Sequence, residues 1–171
     1  MHANPTAPTI SFSPADDAQA FRAALGAYTT GVTVITAITD EGPMGITANS
    51  FASVSLDPPL VLWSPSRHSR RFEHFARAPR FAIHVLAADQ RHICDAFTRS
   101  KTAFEGLDWT PNNAGVPLLA GALAVFECNF EAAHHAGDHD IVVGRVIRAH
   151  RGEGLPLVFH GGGYGHFEGG A

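Results

Sequence analysis

The sequence predicts a mainly β protein, an antiparallel barrel with a few peripheral helices. Three observations lead to that reading. Short runs of β-branched and aromatic residues recur along the chain, bounded by Gly, Pro, Asp and Ser turns. Regular strand–helix alternation is absent, which removes a doubly wound parallel sheet. The length, 171 residues, makes one domain with short tails, and an antiparallel sheet of that size guards its edges by curling into a barrel.

The elements follow in order. Ser13, Pro14, Asp16 and Asp17 supply a cap, a first-turn proline and acids for the positive end of a helix dipole. Ala18, Phe21, Leu25 and Tyr28 then recur at helical spacing, and the helix is expected to stop near Gly31. The run 32–36 is β-branched and reads as a strand, and 40–43 is a turn. Residues 44–55 give one or two strands with an unusually polar middle. After the break at Asp57, Pro58 and Pro59 comes a buried strand over 60–63. Ser69 is expected to cap a short helix carrying Phe72, Phe75 and Ala76. Pro79 ends it, and 81–86 is the next strand. Asp89 is expected to cap another short helix through Ile93, Ala96 and Phe97. Residues 99–117 show no period and read as a long loop, a length that favours a functional role. Two long strands over 123–133 and 141–150 flank a histidine-rich connection. A last strand over 157–159 leads into a glycine-rich turn before Tyr164. The expected organisation is a flexible tail over 1–12, one domain over 13–168 and a tail over 169–171.

Composition narrows the function classes. Charged residues make up 16% of the chain, against about 25% in typical domains, which excludes a disordered protein. Lys plus Arg number 12 against 16 Asp plus Glu, a net charge of -4, so nothing suits a nucleic-acid backbone. A surface this short of charge is expected to hide part of itself in a subunit interface. Residues 1–20 lack a basic start and apolar run, so no secretory signal is read, and no apolar stretch suits a membrane span. Cys94 and Cys128 form no C-x-x-C pair and read as reduced, buried thiols of a cytoplasmic protein.

Several motifs fail on inspection. The glycines at 161–165 do not give G-x-G-x-x-G before a capped helix, so neither a Rossmann site nor a P-loop is read. His135 and His139 lie four apart, but Gly137 and Asp138 place them on a hairpin rather than a helix, and no metal site is expected. There is no G-x-S-x-G elbow for a serine hydrolase, and paired carboxylates for a glycosidase are scarce. The segment 45–55 is the feature that stands out. Its hydroxyls and one amide lie between apolar strands, and such groups need hydrogen bonds if buried. They either face solvent or meet a polar heterocycle such as a flavin ring, which asks for small polar groups and apolar walls.

Taken with its surroundings, that segment resembles the short-chain flavin reductase family, the reductase components of two-component flavin monooxygenases. The likeness runs from Phe21 to about Phe167. It is carried by Phe21, Arg22, Leu25, Gly26, Tyr28 and Thr30 to Val34, then by Thr47 to Phe51, Ser53 to Ser55 and Asp57 to Val61. Phe104, Glu105 and Gly106 follow, then residues 118–124, then Gly137, Asp138 and His139 before Val142, Val143, Gly144 and Val146, with Pro156, Leu157 and Tyr164 beyond. The resemblance implies an FMN-binding split barrel, a homodimer with flavin near the subunit interface, and hydride transfer from NADH or NADPH to FMN or FAD. Reduced flavin would diffuse to a separate flavin-dependent monooxygenase. By position, Thr47, Ala48, Asn49 and Ser50 would line the flavin, with Ser64 as a further contact. Ser69 and Arg70 would hold its phosphate, and Phe97 and Phe104 would wall the cofactor unless they are core. His139 and Tyr164 would contact the nicotinamide, and His139 would orient its amide or supply a proton to reduced flavin. A flavin-binding oxygenase or redox sensor of the same fold is the alternative. No basic cluster suits a 2′-phosphate, which points to NADH. One domain leaves no room for a separate nicotinamide domain, so both cofactors are expected to share one cleft.

Overall fold

A computed structural model describes residues 9–167. The tail expected at 169–171 lies outside the described residues, as do 1–8 of the expected N-terminal tail. The order is α1 (Ala18–Gly26), β1 (Thr30–Gly31), β2 (Thr33–Thr39), β3 (Gly42–Ala48), β4 (Ala52–Leu56), β5 (Pro59–Trp63), α2 (Phe72–Phe75) and β6 (Arg80–Val85). A 3-10 turn (Ala88–Gln90) then runs into α3 (Arg91–Arg99). The remainder is β7 (Trp109–Pro111), β8 (Pro117–Leu119), β9 (Ala124–Ala136), β10 (His139–Arg151), β11 (Leu157–His160) and β12 (Gly163–His166).

Seven strands form one antiparallel sheet in the order β3-β2-β6-β9-β10-β5-β4. It curls without closing, with β3 and β4 as its two edges. The apolar faces of β2, β3, β5, β6 and β10 meet α2 in a core of Ile35, Met44, Trp63, Phe75, Phe81, Ile83 and Val142. Burial of such side chains contributes about 1.5–3 kcal/mol each. In a second core, Ile93, Cys94 and Phe97 of α3 pack against Val32, Val34, Leu86, Phe104, Leu119 and Leu157. Phe159 and Tyr164, from the small β1-β11-β12 sheet, join that cluster. Gly45 allows the two cores to meet: a Cβ there would stand 2.4 Å from the Phe97 ring, so any side chain would push α3 off β3.

His84 of β6 is wholly buried. Its Nδ1 lies 3.0 Å from the Val34 carbonyl, and its Nε2 accepts the Leu119 N–H at 3.1 Å. That pattern requires a neutral ring with its proton on Nδ1, and burial lowers its pKa to about 4. Cys94 and Cys128 are buried and unpaired, and burial pushes the Cys128 thiol up to about 12.

Four expectations change. The first helix begins at Ala18, where Asp17 Oδ1 accepts the Ala20 N–H at 2.8 Å, and it ends at Gly26. Ser13 instead closes a turn with its carbonyl. The 3-10 turn absorbs Asp89, so α3 starts after Gln90 without a side-chain cap. Residues 99–117 hold β7 and lead into β8, a two-stranded ribbon rather than an uninterrupted loop. The glycine turn leads into a further strand, β12. No helix among the described residues is long and apolar enough to cross a membrane.

Candidate cofactor cleft

The polar segment noted in the sequence ends β3 and turns the chain towards β4, which places Thr47, Ala48 and Asn49 on a shared rim. One cleft on this rim, about 650 Å³, adds Ser69, Arg70, Arg71, Phe97, Arg99, Phe159 and Tyr164. The other, about 230 Å³, adds Ser50, Trp63, Ser64, Ser66, Ser69 and His139. Among the described residues no carboxylate lines either cleft. A cavity holding three arginines and no acid favours an anion at one end and neutral polar atoms elsewhere.

Each polar group has a traceable local cause. The Thr47 hydroxyl donates to the Cys94 carbonyl at 2.9 Å, tying β3 to α3 and leaving its oxygen able to accept. Ser50 Oγ accepts the Ser64 N–H at 2.9 Å and donates back to the Ser64 carbonyl at 3.3 Å, which ties the rim to the end of β5. Ser69 accepts the Arg71 N–H on Oγ at 3.2 Å and the Phe72 N–H on its carbonyl at 3.0 Å. It therefore shapes the turn two residues ahead of the N-cap at Arg71 and does not itself cap α2 as the sequence suggested.

The two consecutive arginines do different work. Arg71 turns inward and donates to the carbonyls of Phe97, Thr98 and Gly45, closing the C-terminus of α3 against β3. Burial, and then the charge of Arg70, lower its pKa. Arg70 has no hydrogen-bond or ion-pair partner among the described residues, so its guanidinium remains open to a ligand.

Phe97 is fully buried, with its ring on Gly45. Phe104 meets it edge-on at 4.9 Å and packs against Trp109 at 5.1 Å. Phe104 is core and lines neither cleft. His139 opens β10 beside Ser66. Its Nδ1 lies 2.7 Å from Asp138 Oδ1, and this hydrogen bond holds the Asp138 carboxyl below its usual range. Tyr164 lines the larger cleft, with its hydroxyl 3.5 Å from Cys94 Sγ. The Cys94 bond, with burial, pushes the phenol up to about 12, so it is neutral. His139 and Tyr164 therefore line different clefts, on either side of the shared rim.

Trp63 also lines the smaller cleft, and its buried indole N–H has no acceptor among the described residues. An unanswered buried donor beside hydroxyls and backbone N–H groups suits a ring bearing carbonyls and nitrogens. The sequence reading missed Trp63, Arg71 and Arg99 in this role. The Arg70–Arg71 doublet was visible, but only the approach of the turn before α2 to the C-terminus of α3 decides which arginine turns inward. No group of three His, Cys, Asp or Glu side chains among the described residues is placed to hold a metal ion.

A split antiparallel barrel with paired, acid-free clefts beside an open arginine defines a class by its chemistry: a barrel suited to a phosphate-bearing ring. Comparison with known proteins narrows that class. Residues 25–168 match the model of the flavin reductase like domain. The FMN reductase (NADH) SmoA of Agrobacterium fabrum is 59% identical over 152 residues, which cover 89% of this chain and 87% of that protein. The reductase subunit HsaB of a flavin-dependent monooxygenase from Rhodococcus jostii is 42% identical, with 86% and 77% covered. The NADH:FAD oxidoreductase SgcE6 of Streptomyces globisporus superposes with a TM-score of 0.87 at 37% identity, covering 97% of this chain and 96% of that one. The chain belongs to the flavin reductase like domain family.

Proposed function

We propose that this protein is an NADH:flavin oxidoreductase that transfers hydride from NADH to FMN, or to FAD, and supplies reduced flavin to a separate flavin-dependent monooxygenase. The observation that carries this reading is the pair of acid-free clefts on one rim, with Arg70 open beside them. Flavin, when bound there, would supply the redox chemistry as the acceptor of a hydride from the nicotinamide.

The chain's own part is binding and positioning. Thr47, Ala48, Asn49, Ser50 and Ser64 line the flavin ring and its ribityl chain. Ser50 and Ser64 are already tied to each other, so this part of the wall is preorganised. Ser69 and Arg70 take the phosphate, where a charge-assisted hydrogen bond from Arg70 meets no competing carboxylate. Phe97 floors the larger cleft. Tyr164 walls it on the nicotinamide side as a neutral ring. Asp138 engages Nδ1 of His139, which leaves Nε2 as the ring atom that orients a nicotinamide amide or supplies a proton to reduced flavin.

The working unit is a homodimer with the domain over 13–168, and its site is cytoplasmic. Support for the dimer comes from apolar side chains left in solvent by one chain. Leu25 and Tyr28 near α1 are 59% and 78% exposed, and Leu56 on edge strand β4 is 96% exposed. Sedimentation at micromolar concentration is expected to give twice the chain mass, and a monomer would contradict it.

The test of the function is NADH consumption in air with added FMN or FAD. Turnover that depends on added flavin supports the reading. A protein that oxidises no NADH with either flavin overturns it.

A further inference from the structure

The strand that carries Tyr164 pairs with β11 along its length but has few side chains to pack against α3. Two of the four residues of β12 are glycines, and interior glycine weakens a strand. β12 is an edge strand, bonded in its sheet to β11. It is joined to β11 by Gly161 and Gly162, at φ 55° and 85°, a turn that glycine adopts without strain. The Tyr164 side chain therefore does much of the work of placing this strand against α3.

Three groups hold the Tyr164 ring. Phe159 of the same hairpin meets it edge-on at 5.1 Å. Cys94 of α3 reaches its hydroxyl at 3.5 Å. The Arg91 guanidinium, also from α3, lies over the ring face with its carbon 3.8 Å from the centroid. Asp95, one turn on, fixes the guanidinium by accepting from Nε at 2.9 Å. A flat cation over an aromatic face is attracted by the ring's electron density, and the carboxylate sets the plane in which it lies.

We infer that Arg91 is a positioning residue that latches the β11–β12 hairpin onto α3 through the face of Tyr164, setting the wall of the larger cleft against which the nicotinamide nucleotide packs. The latch rests on the proposed role of Tyr164 at the nicotinamide. Arg91 itself lines neither cleft; it touches Tyr164, which lines the larger one. It acts through Tyr164 and should govern nucleotide affinity rather than the rate of hydride transfer.

The experiment compares Arg91→Met, Arg91→Lys and Tyr164→Ala in the full chain. In Arg91→Met, the KM for NADH and the Kd for NAD+ by calorimetry should both rise about three- to tenfold, with kcat and the Kd for FMN within about twofold. Arg91→Lys should recover part of the loss, since it keeps the charge without the flat stack. Amide exchange over 157–166 should quicken in Arg91→Met, a readout independent of turnover. Unchanged exchange and unchanged NAD+ affinity in Arg91→Met, with NAD+ binding weakened in Tyr164→Ala, overturn the latch and leave the Tyr164 reading standing. Undisturbed NAD+ binding in Tyr164→Ala overturns the Tyr164 reading and, with it, the latch's effect on affinity.

Discussion

The two clefts share the rim at 47–49 but differ in what their polar side chains are already doing. On the His139 side the wall is held together before any ligand arrives, with Ser50 and Ser64 bonded to each other and Asp138 bonded to His139. On the Tyr164 side the wall depends on α3, which is held by Arg71 at its C-terminus, by Thr47 near its middle and by Gly45 beneath Phe97. The first wall is local to a few residues of loop and strand end. The second is a packing arrangement between separate elements. A substitution should therefore act locally on the His139 side and spread through α3 on the Tyr164 side.

The largest expected effect breaks the second wall. Gly45→Ala should cost about 1–3 kcal/mol of stability, because the new Cβ meets the buried Phe97 ring. Chemical denaturation measures the loss, and FMN titration should show weakened binding. An unchanged midpoint would mean that α3 is not held by close approach to β3.

The arginine doublet sharpens the comparison next. Arg71→Ala removes charged donors from three carbonyls and should destabilise the fold by about 1–3 kcal/mol. Arg70→Ala should leave the thermal midpoint in place and weaken FMN binding about tenfold. The reverse pattern would exchange their roles.

Acid should act on the frame rather than on either cleft. His84 is neutral when folded, with its pKa lowered to about 4, while the unfolded ring titrates near 6.5. The unfolded state therefore takes up the proton first as pH falls. The contribution is complete above about pH 6.5 and is lost progressively down to about pH 4. Between about pH 7.5 and pH 5 the loss is about 2 kcal/mol. Urea unfolding at both values should show it, and His84→Gln should flatten this part of the profile.

The smallest effect falls on the prebuilt wall. His139→Ala should raise the KM for NADH or lower kcat by about threefold or more while FMN still binds, because the Ser50–Ser64 tie lies outside the change. Neither parameter moving by that amount would remove His139 from the site.

The same contrast explains what could be read in the sequence. The hydroxyl-rich run at 45–55 stood out because small polar residues in a strand context are unusual, but only the family resemblance pointed 47–50 at a cofactor; these residues line the clefts, whereas most of β4 faces solvent. The long hairpin of β9 and β10 was visible from an apolar stretch with aromatic residues, a β-branched run after it, and Gly137 between them. The α1 boundary was misread because Tyr28 continues the helical spacing after the backbone has left the helix at Gly26. The β7–β8 ribbon was hidden because each strand is only three residues and Pro111 and Pro117 obscure any alternation. Phe97 and Phe104 look alike in sequence, and only the approach of α3 to Gly45 separates a cleft floor from the core behind it. The Arg91–Tyr164 contact joins residues too distant in the chain for spacing to reveal.

The most direct measurement of the central claim is anaerobic mixing of the protein with FMN and NADH carrying deuterium on one face of C4. The account predicts flavin bleaching in proportion to NADH oxidised, slowed by deuterium on one face and not on the other, because a single arrangement of the two rings is held at the rim the two clefts share. Bleaching that ignores which face is labelled, or no bleaching at all, would contradict it.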